Sequence, residues 1–236
     1  MATAGDAARR RDAGSSSGRA RLDRDTIIAA GLELAAGSGT ASISVRELGT
    51  HLGADPTAIY RHFRSKEHLM QALLDELTAR SLAEVTADPA DWKERLRQLA
   101  AATLAQYVIY PAVGAEAIVL TTHGPGELDA IEFMLQAFAE AGLSGDDLVR
   151  HYALLATHVL SSAAGIARGR GERDPENGAG PWFEGPILAD PRKYPLITEY
   201  NTQLTDLEDV ALFTLGVEAV IQSAERAAAA RPGGGG

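Results

Sequence analysis

The chain has 236 residues, 45% hydrophobic, 23% charged and 6% aromatic, which is enough apolar material for one large domain or for a small and a medium one. It has no cysteine, which excludes disulfides, thiolate metal centres and cysteine nucleophiles. No apolar run approaches the roughly 18 residues of a membrane span, and no apolar core follows Arg9, Arg10 and Arg11 as a secretory signal requires, so a cytoplasmic protein without a membrane partner is expected. The net charge is −10 but unevenly spread: residues 1–70 hold 10 basic and 8 acidic side chains, and the remainder 12 basic and 24 acidic. That asymmetry points to an anion-binding end on an acidic body that repels nucleic acid elsewhere.

Residues 1–21 are rich in Ala, Gly, Ser and Arg and are expected to be a disordered arm. A first helix runs from Asp23 or Arg24 to Ser38, with Ile27, Gly31 and Leu34 on one face and Gly37 and Gly39 as its stop. A short second helix opens at Ser44, three residues before Glu47, the spacing of a capping box, and Gly53 ends it. A third opens with Asp55 as N-cap and Pro56 at the first position and lasts to about His62 or Phe63. Ser65 caps a fourth, striped by Leu69, Leu73 and Leu77, which ends before Asp88.

Beyond it the pattern stays helical. Residues 91 to about 110 form one helix, stopped by Pro111, and 112–120 form a short apolar segment. His123 to Gly126 break the chain before an amphipathic helix over 127–141. Ser144 starts a long helix that reaches about Arg168. Residues 168–195, rich in Gly and Pro, read as a loop, and a last long helix spans 206 to about 229. The fold class is therefore all-α. An N-terminal three-helix domain (22–66) is expected to join a larger helical domain (67–229), and 230–236 to form a disordered tail.

The informative stretch is 44–62. Two short helices meet at a turn containing Gly53, and Val45, Leu48, Leu52, Ile59 and Phe63 can bury a shared seam against the first helix, which makes a helix-turn-helix. The second of the pair is too short to survive alone in water. Its outer face, with Thr57, Tyr60, Arg61 and His62, is held up by packing and offers hydrogen-bond donors to phosphates and base edges, and Lys66 follows at the start of the fourth helix. A plain capped helical hairpin would show the same geometry with no nucleic acid involved.

The strings Val45-Arg-Glu-Leu-Gly49, Leu52-Gly-Ala-Asp-Pro-Thr-Ala-Ile-Tyr-Arg-His-Phe63 and Ser65-Lys-Glu-His-Leu69 resemble the amino-terminal domain of the tetracycline-repressor (TetR) family, over about residues 22–75. The resemblance implies DNA binding for the N-terminal helix-turn-helix domain, and ligand binding and dimerisation for the larger one. It implies a dimeric regulator that is released from a palindromic double-stranded operator when a small apolar or aromatic effector binds. It implies base contacts by Arg46, Pro56, Thr57 and Arg61, and phosphate contacts by Ser44, Tyr60, His62 and Lys66. Gly49 departs from the alanine more common in its slot, at a helix cost of roughly 0.5–1 kcal/mol. The arginine-rich arm either reaches a groove or stays a solvated tail.

A homodimer is expected because two reading heads about one helical turn of DNA apart are needed for a specific operator. Leu148, Tyr152, Leu155, Val159, Ser162 and Ile166 recur at heptad spacing, and Phe213, Val217, Val220 and Ile221 form a matching stripe on the last helix. These are the expected dimer seam; the other arrangement turns both stripes toward the subunit's own core. For the effector, Tyr107, Tyr110, Phe133, Met134, Phe138 and Tyr152 are candidate lining residues, with His123, His151 and His158 as polar handles. Trp182 and Phe183 are either a lid or a loop anchor. No phosphate loop, nucleophile elbow, zinc-protease motif or dinucleotide fingerprint is present, and the six histidines do not cluster, so no enzyme, cofactor or metal is expected. The rivals are a helical enzyme and a protein-binding adaptor.

Overall fold

The computed structural model describes residues 22–37, 43–171, 180–182 and 185–230. The expected arm, tail and Phe183 lie outside the described residues. Among those described, the chain is helical, with one isolated β-bridge between Pro181 and Glu208.

The first three helices are α1 (Arg24–Gly37), α2 (Val45–His51) and α3 (Pro56–Tyr60). Each start is capped by the side chain just before it, although Ser44 bonds to the Arg46 amide rather than closing the expected capping box with Glu47. The Asp23 carboxylate accepts from the Thr26 amide at 2.8 Å, Ser44 Oγ from the Arg46 amide at 3.3 Å, and Asp55 from the Thr57 amide at 2.8 Å. Leu48, Ile59 and Phe63 are buried together with Ile27, Leu32 and Ile43, which closes a miniature core under the short helices. The turn between α2 and α3 rests on two glycines. Gly53 has φ +60, and a Cβ on Gly49 would stand 2.9 Å from the Ala54 carbonyl oxygen. The departure at Gly49 thus has a local reason: in this turn the backbone of Ala54 fills the space of a methyl group.

Helix α4 (Lys66–Ala83) belongs to both parts of the molecule. It packs on α1 at its beginning and on α5 (Trp92–Ile109) and α7 (Pro125–Glu140) further along. α6 (Pro111–Gly114) and a 3-10 turn (Ala115–Ile118) follow α5 and lie against α8 (Gly145–Gly171), which also receives α11 (Asp209–Ala229). The region expected to be loop holds two short helices, α9 (Pro195–Glu199) and α10 (Asn201–Thr205). They bury no residue, so they leave no 3.6-residue apolar stripe in the sequence. α11 begins at Asp209 rather than at residue 206, because Glu208 before it is extended.

The junction of α4 with α7 is close. The Asp75 carboxylate on α4 accepts from the amides of Gly126 (3.2 Å) and Glu127 (2.9 Å), so it caps the first turn of α7 from a different helix. Glycine is needed there: a Cβ on Gly126 would stand 2.4 Å from the Asp75 carbonyl oxygen.

Candidate nucleic-acid interface and ligand cavity

The five residues of α3 expose one face. Tyr60 is 48% exposed, Thr57 and Arg61 are exposed beside it, and Pro56 and His62 are half-buried. Ile59, on the opposite side, is buried, which is what holds so short a helix in place. Asp55 keeps its charge: the hydrogen bonds from the Thr57 hydroxyl and amide hold its carboxyl below the usual range. The Thr57 hydroxyl hydrogen is therefore committed to Asp55. Ser44 is occupied as a cap acceptor but keeps its hydroxyl hydrogen, and Arg46 is exposed on α2. Lys66 is exposed at the first position of α4. Arg64, passed over in the sequence, is exposed in the turn between α3 and α4 and adds a cation to this edge. Its only signal was its place between Arg61 and Lys66.

Behind this face a polar and aromatic lock fixes the turn. His68 Nδ1 accepts from the Arg64 amide at 3.2 Å, its ring meets Phe63 edge-on at 5.5 Å, and the Arg24 guanidinium lies over Phe63 at 4.8 Å. Burial and then the neighbouring Arg24 and Arg64 charges lower the His68 pKa, which keeps Nδ1 free to accept.

The second site is a cavity of about 100 Å³ between α4, α5, α7 and α8, lined among others by Leu74, Leu99, Tyr107, Ile131, Met134, Tyr152 and Val159. Glu127 is the only charged side chain on its wall among the described residues, and Thr78, Thr103 and Thr122 supply hydroxyls. Glu127 Oε2 accepts from the His123 amide at 2.6 Å and from Thr122 Oγ1 at 3.1 Å; Thr122 Oγ1 is also 2.9 Å from Asp75 Oδ1. Burial, and after it the Glu127 charge, raise the pKa of both Tyr107 and Tyr152.

Of the residues expected to line a ligand site, Tyr107, Met134 and Tyr152 line this cavity. The others sit elsewhere. Phe138 is fully buried between Trp92 and His151. His151 ties Asp147 O (2.7 Å) to Ser223 Oγ (3.2 Å), which locks α8 to α11. Phe133 packs under the Arg95 guanidinium at 4.3 Å, and the Tyr110 hydroxyl accepts from Arg80 at 3.3 Å. His123 is exposed with φ 53, outside the wall. Trp182 is 60% exposed and lies against α8 and α11; its amide donates to the Leu207 carbonyl at 2.7 Å. Sequence reasoning missed Glu127 and the threonines, because the pattern marks large aromatics and not the chain reversal that turns Thr122 and Glu127 inward.

The expected dimer seam is turned inward. Leu155, Val159, Ile166, Phe213, Val217 and Ile221 are each at most 7% exposed within a single chain, and Leu148, Tyr152, Ser162 and Val220 are half-buried beside them. The heptad spacing is real, but its partners are α5, α6, α7 and the facing helix of the same subunit. Half a turn around α8, Leu154 (54% exposed), Thr157, Ser161 and Gly165 form an outward stripe, and on α11 Ala211, Leu215 (65% exposed) and Gln222 form another.

Three comparisons with known proteins bear on both sites. Residues 27–73 match the family described as "Bacterial regulatory proteins, tetR family", and residues 86–226 match "Tetracyclin repressor-like, C-terminal domain". An HTH-type transcriptional repressor of Mycobacterium tuberculosis is 28% identical over 217 residues, covering 88% of this chain and 82% of the repressor. The class C tetracycline repressor protein of Escherichia coli is 27% identical over 157 residues, or 66% of this chain and 70% of that protein. Among solved structures, a Streptomyces coelicolor chain described as a transcriptional regulator superposes with a TM-score of 0.73 at 27% identity, covering 88% of this chain and 99% of its own. The fold of ActR from the same organism, solved with actinorhodin, superposes with a TM-score of 0.72 at 18% identity, covering 88% and 98%. Among the described residues no helix is long and apolar enough to cross a membrane.

Proposed function

The chain belongs to the tetracycline-repressor family of bacterial regulatory proteins and is a ligand-responsive DNA-binding repressor, and we propose that it grips a palindromic operator as a homodimer and lets go when an effector fills the cavity of each subunit. The observation that carries the reading is the outward face of α3. A helix of five residues, which cannot stand by itself, is held by a buried Ile59 while Tyr60 and Arg61 face solvent with Lys66 beside them. Arg61 reads base edges together with Arg46, Pro56 and Thr57. Ser44, Tyr60, His62 and Lys66 hold phosphates and fix the register. The relatives are transcriptional regulators, and the reading is of a cytoplasmic non-enzyme that needs no cofactor.

Two copies meet through the outward stripes of α8 and α11, where Ser161 and Gly165 allow close approach and Leu154 and Leu215 supply apolar contact. Effector occupancy reaches the heads through α4. The polar end of the cavity, Thr122 and Glu127, is bonded directly or through the start of α7 to Asp75, and the same helix begins with Lys66 at the DNA edge. A shift of α7 against α4 changes the spacing of the two heads, and a coupling of about 1–3 kcal/mol is enough to release the operator.

The test is to select DNA fragments from a random pool with the purified protein and sequence them. A two-fold symmetric site with half-sites about one helical turn apart supports the proposal. No preference for any duplex over random competitor overturns it.

A further inference from the structure

We infer that the cavity selects a lipophilic amine: an apolar or aromatic body whose protonated nitrogen pairs with the Glu127 carboxylate, in preference to a carboxylic acid or other anion. The inference rests on the cavity being the effector site. It follows from an inventory of donors and acceptors on the wall.

The three threonine hydroxyl hydrogens are already spent inside the chain. Thr78 donates to the Leu74 carbonyl at 3.0 Å, Thr103 to the Leu99 carbonyl at 2.8 Å, and Thr122 shares its single hydrogen between the carboxylates of Asp75 (2.9 Å) and Glu127 (3.1 Å). Toward the cavity these residues can only accept. The amides at the start of α7, where an anion would otherwise be welcome, are taken: those of Gly126 and Glu127 donate to Asp75, and that of Gly124 to Thr122 Oγ1 at 3.2 Å. No lysine, arginine or histidine lines the cavity among the described residues, so an anion entering it would find phenol hydroxyls and a like charge.

The acceptor side is the reverse. Glu127 uses Oε2 for the His123 amide and Thr122, and no hydrogen bond to Oε1 is seen among the described residues. The carboxylate stands on an otherwise apolar wall, and a cation beside it gains more than it would in bulk water. Tyr107 and Tyr152 line the same cavity, and their ring faces attract an ammonium group as well as an apolar body. Both stay protonated and uncharged, since burial raises them.

The test uses three probes of one skeleton, 4-phenylbutylamine, 4-phenylbutanol and 4-phenylbutyrate, with the full chain and no DNA. Calorimetric melting and titration are expected to rank amine above alcohol above acid, with at least a tenfold gap between amine and acid. In Glu127→Gln the advantage of amine over alcohol should vanish while the alcohol binds as before. An acid that binds as well as the amine overturns the inference, as do an amine advantage unchanged in E127Q and the absence of binding by all three. Should E127Q fail to fold, the order among the three probes on the native chain still decides. Operator selection is read separately. A chain that picks a symmetric site yet prefers the acid refutes the amine and leaves the regulator standing, whereas a chain indifferent to DNA refutes the regulator.

Discussion

The DNA head and the effector body use their surfaces in opposite ways. In the head, α1 to α3 are short, their cores are small, and the residues assigned to function are the ones left outside: Tyr60, Arg61 and Arg46 project while Leu48, Ile59 and Phe63 hold them there. In the body the helices that line the cavity are long, and the residues assigned to the effector are the ones facing in, with Tyr107 1% exposed and Glu127 reaching an apolar cavity. A long amphipathic helix such as α8 has to serve two faces at once. Its inward stripe closes the cavity, and its outward stripe is the one proposed to meet a second copy. The head teaches that a helix too short to be stable on its own advertises function through its exposed side. The body teaches that apolar periodicity marks burial without saying against what.

Substitutions on the two faces of α8 give the largest contrast. Val159→Asp places a charge in the subunit core and should cost on the order of 4 kcal/mol, enough to unfold the body in a melting experiment. Leu154→Glu, on the outward stripe, should leave the melting of each subunit nearly unchanged and give monomers in sedimentation. Monomers from a folded Val159→Asp would reverse the assignment of the faces. Next in size is Phe63→Ala, which empties the head core at roughly 3–5 kcal/mol. Operator binding should be lost in a gel shift while the circular dichroism of the body persists. On the reading face, Arg61→Ala should weaken specific binding by about 1–3 kcal/mol and relax the sequence preference. Lys66→Ala should instead lower affinity for all sequences alike and reduce the salt slope by about one. An unaltered preference in Arg61→Ala would move base reading to Arg46 or Thr57.

The head was nearly complete in the sequence, and the body was not. Ser44, Asp55 and Ser65 announce helix starts because a cap acts over three residues, a distance the sequence itself spans. The glycines at 49 and 53 and the proline at 56 set the turn by the same short-range rules. The cavity depends on contacts across the chain: Asp75 meeting Glu127, or His151 reaching Ser223, pairs residues 52 and 72 positions apart. No local pattern encodes such pairs. Phe138 and Phe133 were plausible lining residues by size, but a side chain that fills the core around a cavity and one that lines it carry the same hydrophobic signal. The dimer seam failed for the same reason, since a heptad stripe records a partner helix and not which chain supplies it.

The smallest effect tests how tightly the head is held. His68 has a folded pKa below its ordinary value of about 6.5, chiefly through burial and then through Arg24 and Arg64. The folded head therefore resists a proton that the unfolded chain accepts. The sign follows from linkage: as pH falls below about 6.5 the unfolded state binds more protons, so stability declines until the folded imidazole is itself protonated. Protonation then costs the hydrogen bond from the Arg64 amide to Nδ1 and sets a third cation beside two arginines, with Asp75 and Glu76 in the same groove as partial compensation. The melting temperature of the native chain should fall more between pH 7.5 and 5.5 than that of His68→Gln, whose amide oxygen can still accept from Arg64 without titrating. Parallel curves for the two would show that the turn between α3 and α4 is secured by Phe63 and its neighbours alone.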